Sequence, residues 1–384
     1  MNIETGRASL KDCLLKYKVE IVFIILAMLV IIVVVALGPE PLNQIRDEQE
    51  VATNEVLLLK RIGSVTLSEG ENNGASIAIS GRYAFITTDT WPTKVVAVDI
   101  SNPRNPTRIG SVTLAEGEDN GLSIAISGRY AFITTDTEPA RVVAIDISNP
   151  RNLTRVGAVT LAEGERLGRS IAISDQHAYI ITDTSPVIVI AVDITNPSNL
   201  TRVGAVTLAE GENNGVSVAI SGQYAYITTW TEPAKVVAID ISNPKNPTRV
   251  GAVTLIEGEN SGFSVAISGQ YAYITTFTEP AKVVAIDISN PSNPTRIGAV
   301  TLVGEYYGTS IAISGGYAYV RTLTSPVVAI DISNPSNPTR VGPITLVEGE
   351  GLGLSIAISG RYAYVITFTK PAKVIVVELI TPKN

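Results

Sequence analysis

From Arg61 onward the chain alternates short apolar runs with polar punctuation. In the segment from Thr248 to Pro294 the runs are Arg249 to Leu255, Ser264 to Ser268, Tyr271 to Thr276 and Lys282 to Ile288. Rich in Val, Ile, Thr and Tyr and bounded by Gly, Pro, Asn and Ser, they read as four β-strands. Inside the second run Ser264, Ala266 and Ser268 share one face while Val265 and Ile267 share the other. Both faces are fairly apolar, so each sheet is expected to be covered on both sides. An acidic loop joins the first two strands, a tight Ser-Gly turn the next two, and Phe277 to Ala281 the last two. An Asn-Pro-Ser-Asn-Pro stretch then leads out.

This unit occurs seven times. The Arg that opens each copy stands at Arg61, Arg108, Arg155, Arg202, Arg249, Arg296 and Arg340, one copy per 47 residues until the sixth, which has 44. A fixed period of this size marks a propeller, solenoid or array. Seven four-stranded sheets that bury both faces against neighbours predict an all-β, seven-bladed β-propeller, with an open β-solenoid as the competing architecture. The chain ends separate the two. It stops at Asn384, where another Arg-led strand is due, so the last sheet is one strand short and the strand from Arg61 to Leu67 is left over. Placing that strand beside Lys373 to Ile380 closes the ring and removes two sheet edges at once.

The segment Val327-Val328-Ala329-Ile330-Asp331-Ile332-Ser333-Asn334-Pro335, preceded by Ser314-Gly315-Gly316-Tyr317-Ala318-Tyr319-Val320, resembles the repeat of LVIVD propeller proteins. The likeness recurs in every copy and runs from Arg61 to the C-terminus. The last copy departs from it, with Val374-Ile375-Val376-Val377-Glu378. The resemblance implies a propeller fold and a secreted or membrane-anchored prokaryotic surface protein. It implies no particular activity.

Ahead of the repeats, residues 1–20 form a tail with Arg7, Lys11, Lys16 and Lys18 against Glu4 and Asp12. The uncharged run from Ile21 to Leu37 follows, about 26 Å long as a helix. Residues 21–38 are therefore expected to be a transmembrane signal anchor. Basic residues precede the run and Glu40, Asp47, Glu48 and Glu50 follow it, which puts the N-terminus in the cytoplasm and the propeller outside the cell or in the periplasm. A cleaved signal peptide ending near Ala36-Leu37-Gly38 is the alternative. Residues 39–56 read as an acidic stalk and 57–384 as the propeller. Cys13, the one cysteine, lies before the anchor and cannot staple or serve the propeller.

The formal net charge of −7 argues against nucleic acid as a partner. Charges also sort by loop. The face bearing the acidic loops carries Glu69 and Glu71, Glu116 with Glu118 and Asp119, Glu163 and Glu165, Glu210 and Glu212, Glu257 and Glu259, and Glu348 and Glu350, offset by Lys94, Arg141, Lys235 and Lys282. The opposite face carries Arg82, Arg104, Arg129, Arg151, Lys245 and Arg361. Because the stalk enters on that basic side, it is expected to look at the membrane. Two repeated features read as structural. The Asp that ends each fourth strand (Asp99, Asp146, Asp193, Asp240, Asp287, Asp331) is expected to pair with the Arg that opens the next strand, and Glu378 with Arg61. His177, the one histidine, occupies a position that is Tyr in the other copies.

The informative variation follows the third strand, where one position reads Asp89, Asp136, Asp183, Trp230, Phe277, Leu323 and Phe368 around the ring. Three blades present carboxylates and the next four large apolar groups. These seven are the candidate binding residues. The rings offer a platform to a sugar or protein side chain, and the carboxylates suit a basic group or a hard cation such as Ca²⁺. Alternatively they plug the channel mouth. Tyr306 and Tyr307 add aromatic surface nearby.

An enzyme needs a distinct constellation, which near-identical repeats supply poorly. His177 stands alone, so no Ser-His-Asp set exists, and no Cys-His cluster exists for zinc. The expectation is a non-enzymatic, membrane-anchored binding or adhesion module without a required cofactor, its partner a protein or glycan. A self-associating surface coat is the structural alternative and a carbohydrate-active enzyme the third. Asn152-Leu153-Thr154 and Asn199-Leu200-Thr201 are sequons that fit an outside location.

Overall fold

The computed structural model describes residues 59–325, 327–344 and 353–379. All of them belong to the unit Val56–Asn384. They form seven four-stranded antiparallel sheets. Blade 1 contains, from the ring axis outward, Gly74–Ser80, Tyr83–Thr88, Lys94–Asp99 and Thr107–Thr113. Blades 2 to 7 repeat this order, their innermost strands beginning at Gly121, Gly168, Gly215, Gly262, Gly308 and Gly353. Each innermost strand lies against those of both neighbouring blades. The tail, anchor and stalk expected over residues 1–56 lie outside the described residues, apart from which no helix is long and apolar enough to cross a membrane among those described.

The ring closes as the strand count demands. The outermost strand of blade 7 is Lys60–Thr66, paired with Lys373–Glu378 in the register Arg61 to Val377 and Thr66 to Lys373. A bulge falls between Arg61 and Gly63, and the same bulge falls between Arg108 and Gly110 in blade 1. The borrowed strand thus reproduces the geometry of the other six. A solenoid would leave both edges open; here neither is.

The core is a set of interfaces between blades. In blade 1 the third strand buries Val95, Val96, Ala97 and Val98 in succession, as a strand covered on both faces must. Phe85, Val95 and Ala97 of blade 1 pack with Ile124, Ile133 and Val143 of blade 2. Equivalent clusters fill every interface, including the one where Tyr364 and Val376 of blade 7 meet Ile77, Ile86 and Val96 of blade 1. Each repeat buries its faces only against its neighbours, so the ring stabilises its members collectively.

Polar bonds cross the same interfaces. The Tyr179, Tyr226 and Tyr273 hydroxyls donate to the carbonyls of Ile241, Ile288 and Ile332 in the following blade at 3.2–3.4 Å. Nearer the axis, the amides of Ile171, Val218, Val265, Ile311 and Ile356 donate to Ser123, Ser170, Ser217, Ser264 and Ser310 of the preceding blade. A glycine in six of the outermost strands permits the outer contact: a Cβ on Gly110 would lie 2.3 Å from the Pro150 carbonyl oxygen.

The expected Asp-Arg pairs across the outer hairpins do not form. The bulge sets Arg108 opposite Val98 and leaves Thr107 opposite Asp99. Asp99 instead accepts from the Ser101 amide, and the same turn recurs at Asp146, Asp193, Asp240, Asp287 and Asp331. Asp146 also pairs with Arg129 across its own blade at 3.1 Å, and Glu378 pairs with Arg361 rather than Arg61.

The arginines have another partner. Arg108 lays its Nε and Nη2 edge on the Glu71 carboxylate, the shortest contact 2.5 Å. The Ser68 amide donates to the same carboxylate at 2.8 Å. Arg155, Arg202, Arg249, Arg296 and Arg340 clasp Glu118, Glu165, Glu212, Glu259 and Glu305 at 2.5–2.8 Å. The second glutamate of five of these loops, and the single glutamate Glu305 of the sixth, are thus buried, and the acidic face is less acidic than its composition. Burial raises the Glu71 and Glu212 carboxyls, but the guanidinium and the loop amide override it and hold both below the ordinary value of 4.5.

Candidate functional site

The seven variable positions stand where the loop after each second strand meets the start of the innermost strand, at one mouth of the central channel. Their backbone is fixed by the repeat. In blade 5 the Thr276 and Thr278 hydroxyls are 2.6 Å apart, Thr278 donates to the Pro280 carbonyl at 2.8 Å, and the Lys282 amide donates to Thr276. The Phe277 amide donates to the Ser261 carbonyl at 2.9 Å, and Trp230 bonds Asn214 in the same way. Ser261 and Asn214 take positive φ, 52° and 54°, which turns the chain from the acidic loop into the innermost strand.

That strand then carries a bulge at its second residue. Gly262 pairs with Thr276 and Ser264 with Thr275, so Phe263 is the extra residue. A bulge breaks the alternation and re-aims a side chain, and this one turns Phe263 towards Phe277. The bulge residues around the ring are Ala75, Leu122, Arg169, Val216, Phe263, Thr309 and Leu354. Five blades therefore offer two side chains at the mouth; Ala75 in blade 1 and Thr309 in blade 6 are buried, the Thr309 hydroxyl donating to the Arg321 and Gly353 carbonyls.

In blade 3 those two are Arg169 and Asp183, joined by a salt bridge of 2.6 Å with a second bond of 3.2 Å. One of the three expected carboxylates is thus already met by a basic group of its own blade. Asp89 and Asp136 occupy the same loop position in blades 1 and 2, their amides held by Asn73 and Asn120. Among the described residues no three His, Cys, Asp or Glu side chains converge as a metal site.

Blades 4 to 6 are different. The Trp230 and Phe277 rings lie 5.1 Å apart, and Phe263 stacks on Phe277 at 5.2 Å with 24° between planes. Trp230 meets Phe263 edge-on at 5.8 Å. Tyr307 joins the far side of Phe277 at 4.6 Å and its hydroxyl lies 3.5 Å from the Glu279 carboxylate. Burial and the nearby Glu279 charge raise the Tyr307 phenol. The four rings form one half-buried row across three blades. Leu323 and Phe368 hold the equivalent positions in blades 6 and 7 but no ring contact joins either to the row among the described residues. Sequence reasoning missed Phe263 and Arg169 because a bulge residue has no fixed place in an alternating pattern.

Among the described residues the exposed large apolar side chains are Trp91, Ile256, Val303 and Tyr306, at 75%, 54%, 72% and 37%. All lie in loops of this face. The opposite face carries Arg-Tyr contacts such as Arg82 over Tyr83 at 5.1 Å. His177 is half-buried beside Asp193, a packing position like that of the tyrosines it replaces.

The fold is similar to the crystal structure of RRP9 WD40 repeats, with a TM-score of 0.66 at 10% identity over 84% of this chain and 100% of that one. It is also similar to the computationally designed Ika8 protein, with a TM-score of 0.55 at 9% identity over the same shares. At such identities the likeness concerns the fold alone. No curated protein matches the chain. The LVIVD repeat matches at residues 73–114, 120–160, 166–207, 214–254, 261–301, 307–345 and 351–370. Each match begins just before an innermost strand, so the sequence repeat and the blade are one unit, and the chain belongs to the LVIVD repeat family.

Proposed function

We propose that this chain is a binding module, a cell-surface adhesion propeller that takes a macromolecular partner at the channel mouth of the aromatic face. The row of Trp230, Phe263, Phe277 and Tyr307 carries the reading. The repeat determines the backbone in every blade, yet in three adjacent blades it presents rings that a stable ring of blades does not require. Contiguous aromatic surface of this kind is what interfaces use as anchors. Family membership and the propeller fold agree with a scaffold for interaction, and among the described residues at the mouth none assemble the nucleophile, base and oxyanion donors of a hydrolase.

The anchor at residues 21–38 is part of the proposal, with the propeller outside the cell. Protease shaving of intact cells tests it: the exposed loops carrying Glu116 and Arg166 are expected to be cut, and full protection would refute the placement. For binding, the full-length chain in detergent is incubated with surface glycans and surface extracts of its own host, beside a Trp230→Ala, Phe277→Ala variant. Capture by the parent and loss by a variant that melts at a similar temperature is the expected result. Equal capture by both would move the site elsewhere.

A further inference from the structure

The loops of blades 4 and 5 carry a second feature besides their rings. Two residues after the ring each places a glutamate: Thr229-Trp230-Thr231-Glu232-Pro233 and Thr276-Phe277-Thr278-Glu279-Pro280. No other blade has both. Blade 2 has Glu138 but Asp136 in place of the ring, blade 7 has Phe368 with Lys370, and blades 1 and 3 have Trp91 and Ser185 at the second position. Glu232 and Glu279 are exposed, and no salt bridge engages either among the described residues. The hydroxyl ladders that hold the rings hold them too: Thr231 donates to the Pro233 carbonyl at 2.8 Å, as Thr278 does to Pro280.

The surroundings keep this arc negative. Glu210 and Glu257 are exposed in the adjoining loops. The nearby cations have neighbours in the acidic loops: the Lys235 charge acts on buried Glu212, and Lys282 Nζ lies against the Gly258 turn, 3.5 Å from where a Cβ would be. An aromatic row edged by exposed carboxylates, of which Glu279 also accepts from the Tyr307 hydroxyl at 3.5 Å, attracts a cation that can also stack. A guanidinium does both, lying flat on a ring face while its N–H fork meets a carboxylate. The row is two ring spacings long, 5.1 Å from Trp230 to Phe277 and 4.6 Å on to Tyr307. Exposed Ile256, Val303 and Tyr306 stand on the loops of the same blades. That is room for several side chains, not for one small amine.

We infer that the partner is a polypeptide presenting an arginine beside an apolar residue, with the guanidinium over the Trp230–Phe277 rings and against Glu232 and Glu279. This rests on the reading of the aromatic face as the binding face.

The chain has two tryptophans, so a Trp91→Phe background leaves Trp230 as the sole emitter. Full-length protein in detergent is titrated with three tryptophan-free probes: an Arg-Leu-Arg-Leu peptide, its citrulline counterpart of equal shape without charge, and a neutral chito-oligosaccharide. The arginine peptide is expected to shift Trp230 emission saturably and bind at least tenfold more tightly than the citrulline peptide. Glu232→Gln with Glu279→Gln is expected to erase that preference, and both changes are on the surface, so folding is unaffected. Arginine and citrulline peptides binding alike, or the oligosaccharide alone binding, would overturn the cationic partner while leaving the face a binding face. No response to any probe would also overturn it, and the host-capture comparison then decides separately whether the face binds at all.

Discussion

Two rings of side chains run around this propeller and they obey opposite rules. In the outer ring a glutamate from each of six acidic loops is clasped by an arginine 35 to 37 residues later, edge-on through Nε and Nη2 in five of them and through Nη2 alone at Arg340. At the channel mouth the backbone is just as regular, but the two side chains differ in every blade, from Arg169 with Asp183 to Phe263 with Phe277. What is repeated holds blades in shape; what varies over a repeated backbone is free to recognise something. The difference becomes measurable when stability and binding are scored separately at each ring.

The largest stability effect is expected at the outer ring. Arg249→Ala leaves the Glu212 carboxylate, 3% exposed, without its partner. The Ala209 amide still donates to it and Arg249 is one-third exposed, so the cost is set at about 3 kcal/mol, the low end for a broken buried pair. Trp230→Ala should cost well under half as much, as a half-buried side chain. Urea midpoints of the two variants check the ranking, and the comparison breaks if they coincide. Glu71 and Glu212 add a pH signature. Their folded pKa values are depressed, so their stabilisation is full above about 4.5 and is lost as pH falls through the lower folded values. Arg249→Ala should flatten the Glu212 part of that acid limb.

The strands and the closure were legible because seven copies repeat the same apolar alternation between the same turn residues, and because the first copy starts with an outermost strand that has no other place. The clasps were not legible. The nearest sequence partner of Arg108 is Asp99, and only the bulge before Gly110, which shifts the register by one, sends the guanidinium to Glu71 instead. At the mouth the loop position was readable and its companion was not, since Phe263 lies inside a strand. A signal for it does exist. Between an unvarying Gly and an unvarying Ser, the second residue of the innermost strand reads Ala75, Leu122, Arg169, Val216, Phe263, Thr309 and Leu354, and variation at one site inside a constant frame is what the loop position also shows.

Blade 6 sharpens the comparison from another side. Arg321 replaces the Thr or Ile found at its position in other blades, fully buried between blades 6 and 7. Its Nη1 donates to the Thr322 and Ser325 carbonyls, while Nε and Nη2 have no acceptor. The one acid acting on it, Glu305, is already clasped by Arg340. Arg321 is thus an outer-ring chemistry placed inside without its carboxylate. Burial lowers its pKa to about 10. Arg321→Met is expected to stabilise the protein by about 2 kcal/mol, since an apolar side chain of similar length removes the unmet donors. In the parent the charged form is the disfavoured one, so this penalty is relieved as pH rises above about 10 towards the ordinary guanidinium value. A variant less stable than the parent at pH 7 would show that the two loop carbonyls outweigh the empty donors.

The interblade tyrosines move the other way. Burial pushes Tyr179, Tyr226 and Tyr273 up to about 12, above the ordinary 10.0. A raised folded value means that their contribution is full below pH 10 and is lost as pH climbs towards 12. Blades 1 and 2 have Phe85 and Phe132 at the same position, so phenylalanine is known to fit. Replacing the three tyrosines with phenylalanine should leave stability at pH 7 lower by about 1 kcal/mol for each lost hydroxyl bond. The fall above pH 10 should become shallower. An alkaline melt with unchanged slope would assign that limb to other groups.

The smallest expected effect is the most direct test of the two rules. Arg169→Phe with Asp183→Phe writes the blade 5 mouth into blade 3. If the mouth is free of structural duty, the backbone accepts the exchange: the bulge between Gly168 and Ser170 is already present, and the Asp183 amide already bonds the Leu167 carbonyl. The lost ion pair is partly exposed on both sides, 29% and 21%, so its removal costs no more than about 1 kcal/mol, and two stacked rings return a similar amount. The melting temperature should therefore shift by no more than a few degrees. Binding is expected to respond where stability does not. The exchange places a second pair of rings beside Ser185, with no carboxylate two residues on, so it should capture apolar probes without the arginine preference that Glu232 and Glu279 confer. A large loss of stability would show that the ion pair serves blade 3 as the clasps serve the outer ring, and that the mouth is only partly given over to recognition.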